Sequence, residues 1–317
     1  MATLNVCMLG GTGFVGRSIA ARLSRAGHRV RIPTRFLMRH RDLLVLPGVV
    51  LVEGDVHDRD FLRREFEGMN VVINLVGILN ERGRSGAGFE RAHVELAAKV
   101  AEACRETGVP RLLHMSALGA APDAPSHYLR TKARGEDAAH AAAPDVHVTS
   151  FRPSVIFGPR DSFTRRFAGL LRLAPGVFPL ACPDARMQPV YVEDVAQAFV
   201  AAIDRYRTFG ARYDLCGPRA YSLREIVEYI AALIGRRVRV VGLGPTLSRL
   251  QAAVMEWVPG KPFSLDNFRS LTVDSVCREN GLAALGIEPT HMEAVLPTYL
   301  GGGSMNARRF NRFQQNA

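Results

Sequence analysis

Asn5-Val6-Cys7-Met8-Leu9-Gly10-Gly11-Thr12-Gly13-Phe14-Val15-Gly16-Arg17-Ser18-Ile19 is the stretch that decides the fold. A short apolar strand, Asn5–Leu9, runs directly into a turn with glycines at 10, 11, 13 and 16, and a helical spacing of Val15, Ile19, Leu23 and Ala26 begins at once. Strand, glycine turn and helix in that order form a phosphate cradle. The glycines allow a tight turn and let backbone N–H groups approach a pyrophosphate, Gly16 permits close packing of helix on strand, and the helix N-terminus adds partial positive charge. With Thr12, Phe14 and Val15 completing the loop, Gly10 to Gly16 is the expected seat of a dinucleotide.

Working outward, short β-rich runs alternate with helical patterns. The expected strands are Asn5–Leu9, Val30–Pro33, Val49–Val52, Val71–Val76, Arg111–Met115 and Val146–Phe151, and Phe89, Val94, Ala97, Val100 and Ala101 mark a helix between two of them. This alternation predicts an α/β fold with a doubly wound parallel sheet, a Rossmann fold. After Phe157-Gly158-Pro159 the pattern loosens, and a smaller C-terminal α/β lobe is expected, with helices over Leu223–Ile234 and Leu247–Trp257 and a strand at Val238–Val241. Val190–Val192, followed by a helix through Ala202, and Arg212–Cys216 read as a return to the sheet. The expected organisation is a nucleotide-binding domain over 1–158 plus 188–216, a substrate or partner lobe over 159–187 plus 217–300, and a disordered basic tail over 301–317. No internal repeat is present.

The second strand discriminates between dinucleotides. A site for NAD(H) places Asp or Glu about 20 residues beyond the first glycine to bind the ribose hydroxyls. Here no acidic residue occurs between the turn and Asp42, and the second strand ends on Thr34 and Arg35. An arginine there suits a 2′-phosphate, so NADP(H) is expected in preference to NAD(H). Of the arginines near by, Arg31 is expected to be a surface residue, placed unequally with Arg35 relative to the site.

Tyr128-Leu129-Arg130-Thr131-Lys132 places a phenol and an ammonium four residues apart, on one helix face, in a chain with only seven tyrosines and three lysines. A nearby ammonium favours the phenolate, so Tyr128 is expected to titrate below its usual range and to exchange the proton that accompanies hydride transfer. Ser116, at the end of the strand Arg111–Met115, is placed to hydrogen-bond a substrate carbonyl.

Gly10, Gly13, Gly16, Ser116, Tyr128 and Lys132 resemble the short-chain dehydrogenase/reductase family in motif and order, over the chain to about residue 300. Its epimerase/dehydratase-like, extended branch usually has a His-x-Ala-Ala element where this chain has Asn74-Leu75-Val76-Gly77, a departure from the sugar-nucleotide enzymes. The resemblance implies that Asp55 and Val56 contact the adenine, that Asn74 to Gly77 line the cofactor, and that Pro153, Ser154 and Val155 lie beside the nicotinamide. Gly77-Ile78-Leu79, Pro125 to Lys132, Gln188 to Val195 and Leu285 to Pro289 are similar to the atypical group that contains the NADPH-binding accessory subunit of respiratory complex I, alpha subcomplex subunit nine, and its bacterial relatives. That group implies a nucleotide held structurally near the membrane and the quinone region, docked on a respiratory complex. The alternative it leaves open is an active NADP(H)-dependent oxidoreductase on a small carbonyl or quinone-like substrate, in quinone or isoprenoid metabolism, using Ser116, Tyr128 and Lys132.

The bulk properties bound these readings. At 317 residues and 47% apolar content the chain can bury a full core. No apolar run approaches the ~20 residues of a membrane span, and the N-terminal strand leaves no room for a signal peptide. A cytoplasmic protein, soluble or peripheral on the inner membrane face, is expected. The five cysteines lie far apart, with no C-x-x-C, and are expected to be reduced thiols. The histidines show no metal spacing, so no metal is expected. A net charge of +11, almost all arginine, is either a solvated face or a site for an anionic membrane or acidic partner. Nucleic acid is not expected, because no aromatic or helix-turn-helix signature accompanies the charge. Arg160 to Leu173 and Leu247 to Trp257 have amphipathic patterns that suit either packing on the lobe or a membrane surface.

Overall fold

Both faces of the first strand are buried. In β1 (Asn5–Leu9) Val6 and Met8 join one apolar cluster, while Cys7 and Leu9 join another on the opposite side. That period of two, apolar on both sides, belongs to a strand covered by helices above and below. The computed structural model describes residues 3–81, 83–258 and 261–301. The basic tail expected from residue 301 therefore lies, Gly301 apart, outside the described residues.

After β1 come α1 (Phe14–Arg25), β2 (Arg29–Thr34), β3 (Val49–Glu53), α2 (Arg59–Phe66) and β4 (Val71–Asn74). A composite helix follows: α3 (Ala87–Phe89), a π-helical turn over Glu90–Glu95, and α4 (Leu96–Glu106). Then come β5 (Arg111–Met115), α5 (His127–His140), β6 (His147–Pro153), β7 (Ile156–Phe157), α6 (Phe163–Leu173), β8 (Val177–Leu180), β9 (Arg186–Met187), β10 (Val190–Tyr191), α7 (Val192–Ala201) and β11 (Arg212–Leu215). The remainder is β12 (Tyr221–Ser222), α8 (Leu223–Leu233), β13 (Arg239–Gly242), α9 (Pro245–Met255), α10 (Leu265–Ser270), α11 (Gly281–Ala284) and α12 (Met292–Leu300).

Seven parallel strands form the main sheet in the order β3-β2-β1-β4-β5-β6-β11. Ile19 and Leu23 of α1 with Val195 and Phe199 of α7 cover the side of Val6 and Met8. Leu62 and Phe66 of α2 with Leu96 and Val100 of α4 cover the side of Cys7 and Leu9. Strand order reverses between β1 and β4, and in such sheets ligands bind in the crevice outside the carboxyl ends at that point. The doubly wound sheet expected from the sequence is thus present. Of the two later segments expected to rejoin it, β11 does, on the β6 edge, whereas β10 pairs only with β7 in a separate two-stranded unit.

A further apolar cluster, with Ile226, Ile230 and Leu296 fully buried, forms the core of the smaller lobe, where β8 pairs in parallel with β13 and β9 antiparallel with β12. α6 packs Thr164, Ala168 and Leu171 inward. α9 buries only Ser248 and Ala252.

One expectation about the cysteines is overturned. Cys216 and Cys277 form a disulfide, their Cα atoms 6.1 Å apart. Their sequence separation of 61 conceals a neighbourhood that only the tertiary fold creates. Asn280 fastens it, donating from Nδ2 to the Cys216 carbonyl at 2.7 Å and accepting from the Cys216 N–H at 3.3 Å. Cys7, Cys104 and Cys182 are free thiols.

The helix α5 is tied to the sheet edge by a buried ion-pair cluster. Glu136 is completely buried and lies 2.9 Å from Arg152 Nη2 of β6 and 2.7 Å from Arg212 Nε of β11. A cluster whose shared carboxylate is buried while its arginines are partly exposed contributes more than the roughly 0–1 kcal/mol of an exposed pair, and less than the about 3–5 kcal/mol of a wholly buried one. Accordingly, Glu136→Ala is expected to lower the urea-unfolding free energy several-fold more than Asp145→Ala, which removes the exposed partner of Arg105. Equal losses would contradict the role given to this cluster.

Candidate functional site

The turn after β1 is held by contacts that only glycine permits. Gly10 has φ +76°, and a Cβ there would lie 3.1 Å from the Leu75 carbonyl carbon. A Cβ on Gly16 would lie 2.5 Å from Gly11 Cα, well inside van der Waals contact. Gly13 N–H donates to the Gly10 carbonyl at 3.0 Å and closes the loop. Gly13 is the N-cap of α1; no side chain caps this helix and its first turn has no acid. Its N-terminal amides are thereby left to an anionic ligand, and the cradle that a Cβ would fill fits a pyrophosphate. Thr12, Phe14 and Val15 line it half-buried.

Around this cradle the charges are sorted. Arg17, one turn into α1, donates from Nε to the Thr12 carbonyl at 3.0 Å, and its Nη groups hydrogen-bond Asp42 and hold that carboxyl below the usual range. The first acid after the turn is thus occupied. At the end of β2 Thr34 is buried and Arg35 exposed, and among the described residues Arg35 makes no ion pair. Arg31 instead reaches Glu65, at 3.4 Å. Asp55 is exposed after β3 and accepts from the His57 N–H at 3.0 Å; Val56 packs on the cluster beneath α2 and α4.

Ser116, Tyr128 and Lys132 lie beyond the carboxyl ends of β4 and β5. The Ser116 hydroxyl is buried with no hydrogen-bond partner in the protein. Lys132 Nζ donates to the Met115 carbonyl at 2.9 Å, and Gly77 leaves room for it, since a Cβ there would stand 3.1 Å from Nζ. The Tyr128 ring packs edge-on to His93 and Phe89, with centroids 5.5 and 6.1 Å away. Burial pushes its phenol up to about 12 and pushes the Lys132 ammonium down to about 8, with Glu136 opposing the latter. The expectation of a lowered Tyr128 pKa is therefore reversed in the protein alone. Desolvation outweighs the ammonium four residues on, which is turned to the β5 backbone.

Further residues support these three. Asn74 is buried, its Oδ1 accepting from the Val76 N–H at 3.2 Å and its amide 3.4 Å from His114 Nδ1. Leu75 and Val76 line the half-buried strand end. His93 Nε2 accepts from the Ile78 N–H at 3.1 Å, which puts the proton on Nδ1, 2.9 Å from the Thr131 hydroxyl. Burial drives His93 down to about 2 and His114 to about 3, so both rings are neutral. Pro153 is buried, its carbonyl accepting from the Leu118 N–H, and Val155 is half-buried. The Ser154 hydroxyl donates to the Ser275 carbonyl at 2.8 Å and so braces a distant segment.

That segment supplies a residue that sequence reasoning missed. Asp266 of α10 accepts from the His127 and Tyr128 N–H groups at 2.7 and 3.1 Å, capping α5 together with Ser126, which accepts from Leu129 N–H at 3.1 Å. Ser126 has a local signal as an N-cap; Asp266, more than 130 residues away, has none. Among the described residues no group of His, Cys, Asp or Glu could hold a metal ion, and no helix is long and apolar enough to cross a membrane.

Residues 6–216 match the model of the NAD dependent epimerase/dehydratase family. The chain is 33% identical over 302 residues to NADH dehydrogenase [ubiquinone] 1 alpha subcomplex subunit 9, mitochondrial, of Mus musculus, an alignment covering 90% of this chain and 77% of that protein. It is 32% identical over 258 residues to the ceramide reductase of Caulobacter vibrioides, covering 80% of this chain and 78% of the relative. Among solved structures, MoeE5 in complex with UDP-glucose and NAD superposes with a TM-score of 0.72 at 19% identity, over 98% of this chain and 99% of that one.

The buried lysine makes stability depend on pH in a defined sense. Its ammonium falls from an ordinary 10.5 to about 8 on folding, so between those values the unfolded chain holds a proton that the folded chain has lost. Stability contributed by this site therefore rises with pH across that window, and below it the folded state carries the full desolvation penalty. The difference in urea midpoint between the protein and Lys132→Met should shift in favour of the unsubstituted protein as pH rises from 8 to 10.5. A pH-independent difference would rule out a desolvated ammonium at this position.

Proposed function

The chain belongs to the NAD dependent epimerase/dehydratase family and is related to complex I alpha subcomplex subunit nine; from that premise we propose that it is an NADP(H)-binding Rossmann protein of the complex I accessory-subunit type. The nucleotide is held mainly structurally, by a cytoplasmic protein docked on a respiratory complex at the inner face of the membrane, near the quinone region. The first domain, 1–158 with 188–216, holds the nucleotide, and the lobe of 159–187 with 217–300 meets the partner. The single observation that carries the nucleotide assignment is the cradle from Gly10 to Gly16, with its uncapped helix amides. The preference for a 2′-phosphate is supported by the exposed, unpaired Arg35 at the end of β2, and by Asp42 being held by Arg17 rather than free to take ribose hydroxyls.

In this reading the diphosphate sits on the amides of Thr12 to Val15, Arg35 meets the 2′-phosphate, Asp55 lies toward the adenine, and Gly77 and Lys132 border the far end. A structural role is supported by the relatives named as complex I subunits and by the state of Tyr128, whose raised pKa keeps its proton on.

A second reading, an active NADP(H)-dependent carbonyl reductase, is favoured by the orphaned hydroxyl of Ser116 and by the similarity to a ceramide reductase. The bound nucleotide would supply the hydride. Ser116 would then donate to a substrate carbonyl, a buried group that otherwise has no partner, and Tyr128 would give up its proton to the developing alkoxide with the Lys132 charge near by. The substrate would be a small carbonyl or quinone-like compound.

Two variants test these readings. Charge-assisted hydrogen bonds contribute roughly 1.5–3 kcal/mol, so Arg35→Ala should weaken NADPH binding about 10- to 100-fold and leave NADH nearly unchanged. Parallel losses for both nucleotides, or none, would defeat the 2′-phosphate assignment. Tyr128→Phe should leave NADPH binding and copurification with a respiratory complex intact. Loss of a measurable reductase turnover in that variant would instead establish the second reading.

A further inference from the structure

The outer face of α9 is an exposed apolar feature that the site does not use. Its inner side is fastened to the lobe: Ser248 accepts from the Cys182 N–H at 3.1 Å and donates to the Leu243 carbonyl, and Gln251 donates to the Pro179 carbonyl at 3.2 Å. Leu247, Leu250, Val254 and Trp257 recur at three- and four-residue spacing on the opposite side and are exposed by 54, 59, 57 and 79%. The apolar surface continues on the same lobe. Leu173, at the end of α6, is 83% exposed, and Val177 of β8 and Val241 of β13 face solvent on the paired strands that lead into α9. The guanidinium of Arg84 lies over the Trp257 ring, 5.0 Å from its centroid.

The charge around this surface is mostly of one sign: Glu256, beside Trp257, is buried and neutralised by Arg84 at 2.8 Å. Residues 162–183 and 229–255 contain no Asp or Glu, while α6 carries Arg165, Arg166 and Arg172 and the approach to β13 carries Arg236, Arg237 and Arg239, with Arg249 on α9 itself. Among the described residues none of these arginines makes an ion pair; Arg166 and Arg236 donate only to the backbone carbonyls of Pro262 and Ala174. An exposed leucine-valine-tryptophan stripe on a lobe that also carries these unpaired arginines has its complement in a surface that is apolar below and anionic above.

We propose that this face of α9, with Leu173 and the outer face of the β8–β13 pair, docks on an anionic phospholipid bilayer. The apolar side chains enter the headgroup boundary, and the arginines bind lipid phosphates. The proposal deepens the reading of a protein at the inner membrane face and rests on it for location, but its chemistry is independent of the nucleotide. A second copy of this chain is a poor occupant, because an isologous contact would press the same arginines against each other. A wholly apolar protein partner would leave them unneutralised.

Trp257 is the only tryptophan, so its emission reports this face directly. The full chain is mixed with vesicles of phosphatidylcholine alone or with phosphatidylglycerol added, followed by tryptophan emission and sedimentation, with NADPH binding measured on the same sample. Expected are a blue shift and sedimentation with the anionic vesicles, reversal by high salt, and little of either with the neutral ones. The double variant Leu250→Glu with Val254→Glu should partition at least about tenfold less while binding NADPH as before, which also certifies its fold. Unshifted emission with anionic vesicles, or equal partitioning of the double variant, overturns the proposal and leaves the nucleotide assignment standing. A concentration-dependent blue shift without lipid also overturns it, in favour of self-association, and sedimentation confined to a protein-bearing membrane extract does so in favour of a protein partner. Vesicle binding by a chain that takes up no NADPH would instead overturn the proposed nucleotide function and leave the docking surface in place.

Discussion

The structure depends on how closely two stretches of backbone approach at the start of α1. Gly16 sits so near Gly11 that a single added carbon would come within 2.5 Å of its Cα, and Gly10 meets the strand end at Leu75 almost as tightly. Those contacts bring the helix N-terminus down to the crevice between β1 and β4, where the strand order reverses. A third close approach, Gly77 beneath the Lys132 ammonium, links the same crevice to α5. The phosphate cradle and the Ser116–Tyr128–Lys132 group are thus joined through the Leu75–Gly77 backbone, and neither could shift far without disturbing the other.

The helix carrying Tyr128 and Lys132 is tethered at both ends. Ser126 and Asp266 satisfy the amides of its first turn, and Glu136 binds its later turns to Arg152 and Arg212. Burial then acts oppositely on the two groups, raising the phenol and lowering the ammonium. A site in this state favours holding a ligand over drawing a proton from Tyr128. An ordered negative charge beside Lys132 would favour its charged form again. The same residues can therefore sit in a structural or a reactive site, which is why the two functional readings share one geometry.

Much of the fold was legible in the sequence because its determinants are local. A parallel sheet buried on both faces writes its strands as short apolar runs, and β1, β2, β3, β5 and β6 fall within a residue or two of the expected limits. The glycine turn was legible for the same reason, since its steric need is met within seven consecutive residues. What stayed hidden is non-local. Cys216 and Cys277, Asp266 and α5, and Glu136 with its two arginines are brought together only by tertiary packing. The sign of the Tyr128 shift was misread because spacing along a helix reveals a neighbour's charge but not its direction: Lys132 turns to the Met115 carbonyl, and desolvation prevails. The amphipathic patterns of α6 and α9 look alike in sequence and diverge in the fold, where α6 packs Ala168 and Leu171 inward and α9 leaves its leucines outside.

The central claim is that backbone amides at the start of α1 grip a diphosphate and that Arg35, not a carboxylate, awaits the ribose beyond. Calorimetric titration of the full, nucleotide-stripped chain with NADPH and with NADH tests it most directly. The account predicts saturable binding of both, with NADPH at least about tenfold tighter, as one charge-assisted contact implies. Heat of binding for neither nucleotide, or a preference for NADH, would contradict it.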